Sequence, residues 1–380
     1  MSVFILSHAG DVHAHAVQWA CNVLKEPSVF VDLYELFEQS RIGIVPEAGK
    51  QRIFFDGVEL KKSASVWLRR PNPPTLFKAE SVHPDDLKFA QLSSTQLYRG
   101  FLEALSECQL VVSPWTAHAQ ASLKMNQIKV AQTVGLITPK TIFTNDAELA
   151  CGYVESGNFI AKSHGQFKWA SSDGKCTRTP SVSPVEVEHI RSHSETMPYA
   201  PFIIQERLWS TDEIRVFVFG RTIFAVSLGF SNLDGELDWR RFHKNLDISL
   251  IELPLQLQFQ IFEFMDMLNL KSGAFDFIRT ETGEVVFLEV NSCGQWIWME
   301  IDKTIPILDA FTHFLISGDP NFEYDFEQKG SIRYQDFLGS DLAESLYSTV
   351  NEVEGAGTPA LRKQSEWFSS IVAIETQAMQ

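Results

Sequence analysis

Asp276, Glu289 and Asn291 are the residues whose types and spacing point most directly to chemistry. Glu289 and Asn291 stand two apart at the end of the apolar run Val285-Val286-Phe287-Leu288-Glu289-Val290-Asn291, so on a strand they leave from one face. Asp276, in Ala274-Phe275-Asp276-Phe277, reaches that face if the two runs pair across the turn Thr280-Glu281-Thr282-Gly283. Two carboxylates and an amide oxygen make a hard, all-oxygen donor set. Such a set suits Mg²⁺ that keeps some waters and takes its remaining ligands from nucleotide phosphates. The competing reading is a solvated sheet face. The interleaved Phe, Val and Leu argue against it, because two acids on an apolar sheet are costly without a cation.

Phosphates also need cations. Lys124 heads a helical stretch, and Lys162 ends the run Phe159-Ile160-Ala161-Lys162, just before Ser163-His164-Gly165-Gln166. A lysine there can hold phosphates while the following loop covers them. The strand end Ile204-Gln205-Glu206-Arg207-Leu208 offers Gln205, Glu206 and Leu208 to an adenine edge, and Glu213 can accept from ribose hydroxyls. Arg215 and Arg240 could neutralise a transferring phosphoryl group. His243 is a candidate proton acceptor, with a purely structural histidine as the alternative.

The elements that must position these groups read as alternating α and β. A strand at Val3–Ser7 is followed by a helix beginning after Asp11, a strand at Val29–Val31, a hairpin at Ile53-Phe54-Phe55 turning at Asp56-Gly57, and a strand at Ser65–Leu68. A long helix spans Asp85 to Glu107 and a strand Leu110–Val112, with a first boundary near Ser113-Pro114. Beyond it come one helix at Ala119–Val134 and strands at Thr141–Phe143 and Asn158–Lys162. Ser163 to Pro201 reads as a mobile flap. Strands return at Phe202–Glu206, Arg215–Phe219 and Thr222–Leu228. A helix at Pro254–Leu268, the paired strands Gly273–Arg279 and Val285–Val290, and a helix at Ile305–Leu315 complete the pattern. We expect four parts: residues 1–113, 114–203, 204–320, and an acidic tail at 321–380 read as a weakly ordered appendage with ten acids against four bases.

With 380 residues, 44% hydrophobic and 21% charged, the chain is long enough for two or three domains and too apolar for disorder. A net charge of −16 disfavours nonspecific nucleic-acid binding but permits a local cationic cleft. No apolar run is long enough for a membrane helix, and the first twenty residues carry no lysine or arginine, so the expected location is the cytoplasm. The five cysteines form no CxxC pair, which argues against zinc and a disulfide framework. Gly43 to Lys50 fails the phosphate-loop spacing and reads as a surface loop. His8, His13 and His15 read as a polar helix start capped by Asp11, and Cys293 as a packed thiol.

In order, Lys124, Lys162, Gln205-Glu206, Glu213-x-Arg215, Asp276 and Glu289-x-Asn291 resemble the signature of the ATP-grasp superfamily across Ser113 to Ile316. Two further segments, Val66-Trp67-Leu68-Arg69-Arg70-Pro71 and Asn291-Ser292-Cys293-Gly294-Gln295-Trp296, resemble the microviridin-type (graspetide) peptide macrocyclases. Ser292-Cys293 departs from the Pro-containing turn expected after the asparagine. The resemblance implies an ATP-grasp fold, α/β and α+β: a Rossmann-like first domain, a small central lid and a C-terminal nucleotide and metal domain. It implies ATP, two Mg²⁺ on Asp276, Glu289 and Asn291, and an acyl phosphate stabilised by Arg215 and Arg240. The implied substrate is a ribosomally made precursor peptide with a leader, whose Asp or Glu side chains are joined to Thr, Ser or Lys. A homodimer is the assembly it suggests. Arg69-Arg70 then either meets an acidic peptide or forms structural salt bridges. Two functions stay open beside this one: a ligase adding a free amino acid such as glutamate to a protein or small acid, and a nucleotide-binding module without chemistry.

Overall fold

The computed structural model describes residues 3–155, 157–165, 169–170, 177–178, 182–230, 246–301, 305–327 and 330–346. The first sheet is parallel, in the order Ser28–Asp32, Val3–Ser7, Ser65–Leu68, Leu110–Val112. Its strands are near-continuous apolar runs because helices cover both faces. The helix Val12–Val23 starts where Asp11 accepts from the backbone N–H of His13 at 3.0 Å and of Ala14 at 3.4 Å. The helix Leu87–Ala104 closes the other face with Phe101, Leu102 and Tyr98.

A second sheet, antiparallel, has the order Ser183–Val185, Phe159–Lys162, Phe202–Glu206, Thr141–Thr144. The third has five antiparallel strands: Leu246–Leu250, Thr222–Phe230, Ser210–Phe219, Ser272–Thr280 and Val285–Asn291. Alternation along Ser210–Phe219 divides its side chains between two cores. Ile214, Val216 and Val218 face the helix Leu255–Met267, whereas Phe217 and Phe219 face the helix Ile307–Ser317. That second core also takes in Val3, Ile5, Trp67 and Val112 of the parallel sheet. The two sheets are therefore joined through one continuous apolar body.

Four sequence expectations need correction. The helix expected over Ala119–Val134 is two helices, Trp115–Ser122 and Lys124–Thr133, because Leu123 is extended (φ −83°, ψ 100°). The presumed loop from Gly43 to Lys50 is mostly hairpin: Ile42–Glu47 pairs with Lys50–Phe55, and Ala48 (φ 50°) and Gly49 (φ 76°) make the left-handed turn. The presumed flap is ordered in its second half, where Ser183–Val185 pairs with Phe159–Lys162 and the helix Val187–Ser192 buries Ile190. Parts of that span lie outside the described residues. Finally, the described part of the appendage, residues 321–327 and 330–346, belongs to the core, and 347–380 lies outside the described residues. Ile332, Tyr334 and Phe337 are each at most 1% exposed, and Phe337 meets Trp19 edge-on at 6.0 Å. Its apolar residues are spaced too irregularly for a periodicity argument to find them.

Candidate active site

The hairpin Ser272–Thr280/Val285–Asn291 sets Asp276 directly opposite Glu289, and Ala274 opposite Asn291. On the other side, Arg215 lies opposite Asp276. Arg215, Asp276 and Glu289 thus form one row across three adjacent strands. A bulge makes the row work. Phe277 pairs with Phe287, so Leu288 is the extra residue on its strand. It rephases the strand, letting Phe287 and Val290 both enter the apolar core while Glu289 and Asn291 leave from the opposite face.

The row is electrostatically dense. Arg215 is ion-paired with Asp276, and also donates to Glu213 at 2.8 Å. Lys124, the first residue of its helix, is ion-paired with Glu289. Asn291 donates from Nδ2 to Glu289 at 3.4 Å. Burial works against the charge of Arg215, but Asp276 and Glu213 outweigh it and hold its pKa above the ordinary value. From the second sheet, Lys162 donates to Gln205 Oε1, and Gln205 donates in turn to Thr141 Oγ1 at 3.0 Å. Burial pushes Lys162 down to about 8, against the opposing pull of Glu289, Asp276 and Glu213.

The other expected residues are placed as follows. Glu206, adjacent to Gln205, is turned away and accepts from the backbone N–H of Lys140 at 3.2 Å. Leu208 is half-buried in the short link to Ser210–Phe219. Arg240 and His243 lie outside the described residues.

Sequence reasoning missed three supports. Gln127, 4% exposed, presents its carboxamide to the backbone of Val290, the residue between Glu289 and Asn291. It donates to Val290 O at 2.9 Å and accepts from Val290 N at 3.0 Å, as a neighbouring strand would. Lys124 and Gln127 are one helical turn apart, a spacing that could have flagged the pair. His118 is the second support, with Nδ1 at 2.8 Å from Ser292 Oγ and 3.5 Å from Cys293 Sγ. Burial would raise the Cys293 thiol, yet His118 and Arg69 bring it down to about 7. The third is His13, whose Nε2 accepts from Trp296 N at 3.1 Å and Ile297 N at 3.3 Å. Gly294 explains itself sterically: a Cβ there would lie 2.4 Å from Ala274 Cβ.

The donor set fits a hard cation in type: two carboxylates in register with an amide beside them. Among the described residues no group of three His, Cys, Asp or Glu side chains is placed to hold a metal. The set therefore depends on Asn291 as its third oxygen.

No family model matches the chain, and no curated protein does either. Solved structures do. Macrocyclase MdnC from Microcystis aeruginosa MRC, bound with precursor peptide MdnA, is 23% identical with a TM-score of 0.69 over 83% of this chain and 100% of its own. A Chryseobacterium gregarium RiPP-associated ATP-grasp ligase, in complex with ADP and a leader and core peptide, is 20% identical with a TM-score of 0.74, over 84% of this chain and 97% of its own. The chain has the fold of the ATP-grasp peptide ligases. Among these ligases macrocyclase MdnB from the same Microcystis strain is 26% identical, with a TM-score of 0.66 over 83% of this chain and 99% of its own. Ligase PsnB has been solved with Mg and ADP and a phosphomimetic variant of its minimal precursor, at 21% identity and a TM-score of 0.65. Like those folds, this chain is mixed α/β with parallel and antiparallel sheets. No helix among its described residues is long and apolar enough to cross a membrane.

Proposed function

We propose that this chain is an ATP-dependent ligase that crosslinks side chains of a ribosomally made, leader-bearing precursor peptide. The observation that carries the reading is the row Arg215–Asp276–Glu289, with Lys124 on its far end and Lys162 within its electrostatic reach. Binding a nucleobase alone would need none of these charges.

Lys124 and Lys162 hold the phosphates, and Gln205 orients Lys162 through the hydrogen bond already described. In this reading the strand end from Gln205 to Leu208 offers backbone groups to the base, the Glu206 carboxylate being turned away onto Lys140 N, and Glu213 accepts from the ribose. Asp276, Glu289 and Asn291 would hold Mg²⁺, two ions in our reading, which supplies charge neutralisation along the phosphates when bound. To do so the carboxylates exchange part of their pairing with Lys124 and Arg215. A peptide carboxylate oxygen attacks the γ-phosphorus and ADP leaves, giving an acyl phosphate. A Thr or Ser hydroxyl, or a Lys amine, then attacks the acyl carbon, and inorganic phosphate departs as the nucleophile loses its proton. Arg215 stays beside the charge that moves between these groups. Arg240 as its partner and His243 as proton acceptor rest on sequence alone. ATP supply places the reaction in the cytoplasm.

Mass spectrometry tests this with a peptide encoded beside the gene, incubated with enzyme and ATP. Loss of one water per crosslink is expected. A gain of one amino-acid residue would instead identify a ligase for free amino acids, and ADP formation with no change in the peptide would sink the crosslinking reading. Asp276→Asn with Glu289→Gln is expected to lower turnover by at least about 10²-fold.

A further inference from the structure

In the parallel sheet the chain leaves Val3–Ser7 first for one neighbour and later for the other, so the strand order reverses between Val3–Ser7 and Ser65–Leu68. At such a reversal the connections diverge and open a crevice at the carboxyl ends of the strands. Two segments stand at that crevice: His8-Ala9-Gly10-Asp11 and Arg69-Arg70.

The two arginines are not equivalent. Arg69 is 1% exposed. It donates to Gly294 O at 3.1 Å and to Cys293 O, and its Nε lies 3.3 Å from Asp11 Oδ2. Arg69 is therefore the structural salt bridge that the sequence left as one of two alternatives. Arg70 shares the same Asp11 oxygen only at 3.6 Å, and its side chain is 37% exposed. Asp11 has little left to offer it, since the carboxylate already accepts from Ser7 Oγ at 2.8 Å and from two backbone N–H groups. One carboxylate faces two guanidinium groups, while burial keeps His13 neutral, its pKa well below the ordinary value. The crevice therefore sets two guanidinium groups on one shared carboxylate, with Asp32 as a second acid beside His8, and Arg70 is the less engaged and more exposed of the two arginines.

His8 adds a directed donor. Its Nδ1 accepts from Gly10 N at 3.2 Å, which leaves the proton of the neutral ring on Nε2. The ring rests against Tyr34 at 5.1 Å. The nearest acid on the neighbouring strand, Asp32, already accepts from Tyr34 N at 2.9 Å.

We propose that Arg70 and His8 form a carboxylate seat that holds an acidic side chain of the peptide substrate. The inference rests on the peptide-ligase reading. Its location supports it: Arg69, which shares the Asp11 oxygen with Arg70, grips the loop only two and three residues beyond Asn291. The seat thus adjoins, through Arg69 and Asp11, the loop that leaves the row after Asn291. A peptide carboxylate suits it better than a nucleotide phosphate, because Lys124 and Lys162 stand on other elements. A guanidinium with an open fork binds a carboxylate through two parallel hydrogen bonds, which a lysine cannot reproduce.

Fluorescence anisotropy provides the test, with a labelled peptide of alternating Thr, Asp and Glu and its Thr, Asn and Gln counterpart. Wild-type protein is expected to bind the acidic peptide about tenfold more tightly, as one charge-assisted bidentate contact allows. Arg70→Gln should erase that preference, and Arg70→Lys should restore part of it. His8→Phe keeps the ring against Tyr34 and removes the donor, and should weaken acidic binding by about threefold; it reads the same seat if Arg70→Gln does not fold. An unchanged preference in both Arg70→Gln and His8→Phe overturns the inference. A matching loss of affinity for a nonhydrolysable ATP analogue also overturns it, since the seat would then belong to phosphate. A wild type that prefers the acidic peptide through Arg70, yet never crosslinks any peptide, keeps the seat and removes the ligase reading.

Discussion

At the scale of single residues, Lys162 shows what a buried cation costs the fold. Its pKa falls to about 8, from an ordinary value near 10.5, because burial penalises the ammonium more than Glu289, Asp276 and Glu213 support it. The unfolded chain therefore binds more protons between about pH 8 and 10.5, and stability rises with pH across that window. The penalty is fully present below pH 8. Lys162→Met should accordingly raise the melting temperature by a few degrees at pH 7 and by less at pH 10. It should also weaken ATP binding by at least about tenfold, measured by calorimetry. In the wild type, ATP affinity should fall as pH rises above 8, where the side chain loses its charge. An affinity that stays flat to pH 10 would show that Lys162 does not touch the phosphates.

Elements set the direction of the row. The strand Val285–Asn291 is a sheet edge, and edge strands slip easily where no neighbour pins them. Two devices hold this one: Phe287 N donates to Ile137 O at 2.8 Å, and the Gln127 amide brackets Val290. Both lie close to the Leu288 bulge, on which the outward aim of Glu289 and Asn291 depends. Gln127→Met preserves volume but leaves both backbone groups of Val290 without their buried partner, at about 1–3 kcal/mol. The expected result is a several-fold rise in the Mg²⁺ concentration for half-maximal activity. ATP-analogue affinity measured without metal should stay near wild type. Gln127→Glu retains the acceptor for Val290 N and should fall between the two. If Mg²⁺ dependence stays unchanged while only the melting temperature falls, the amide merely stabilises the fold.

For the whole molecule, the controlling feature is one apolar body shared by the first and third sheets. Trp296 stacks on Phe217 at 5.1 Å and lies 5.3 Å from Phe311, while its backbone N–H is held by His13. The loop that leaves the row after Asn291 is thus anchored in the joint between sheets. Residues 321–327 and 330–346 close the same body: Glu300 accepts from Tyr334 N and Leu308 N, each at 2.8 Å, and Asp309 accepts from Tyr324 OH at 2.8 Å. Phe337→Ala, which opens a hole in that closure, should cost about 3–5 kcal/mol in denaturant unfolding. A change below about 1 kcal/mol would show that this segment only rests on the surface.

The sequence alone determined the local patterns. Apolar runs on either side of a turn marked both strands of the hairpin, the offset between Asp276 and Glu289 let them share a face, and Asp11 marked the start of its helix. These follow from side-chain alternation and capping, which act over a few residues. Tertiary structure decided the rest. The Leu288 bulge is invisible in a run of apolar residues, because only pairing with Phe277 shows which residue is extra. The break at Leu123 lies inside a sequence that reads as one helix over Ala119–Val134, and only the tertiary structure brings Lys124, which the sequence already put at the head of a helical stretch, onto Glu289. The division of labour between Arg69 and Arg70 depends on carbonyls more than two hundred residues away and on the hydrogen bonds and the ion pair that Asp11 already makes. Contacts between distant segments are set by how the sheets pack. Local propensity cannot encode that packing.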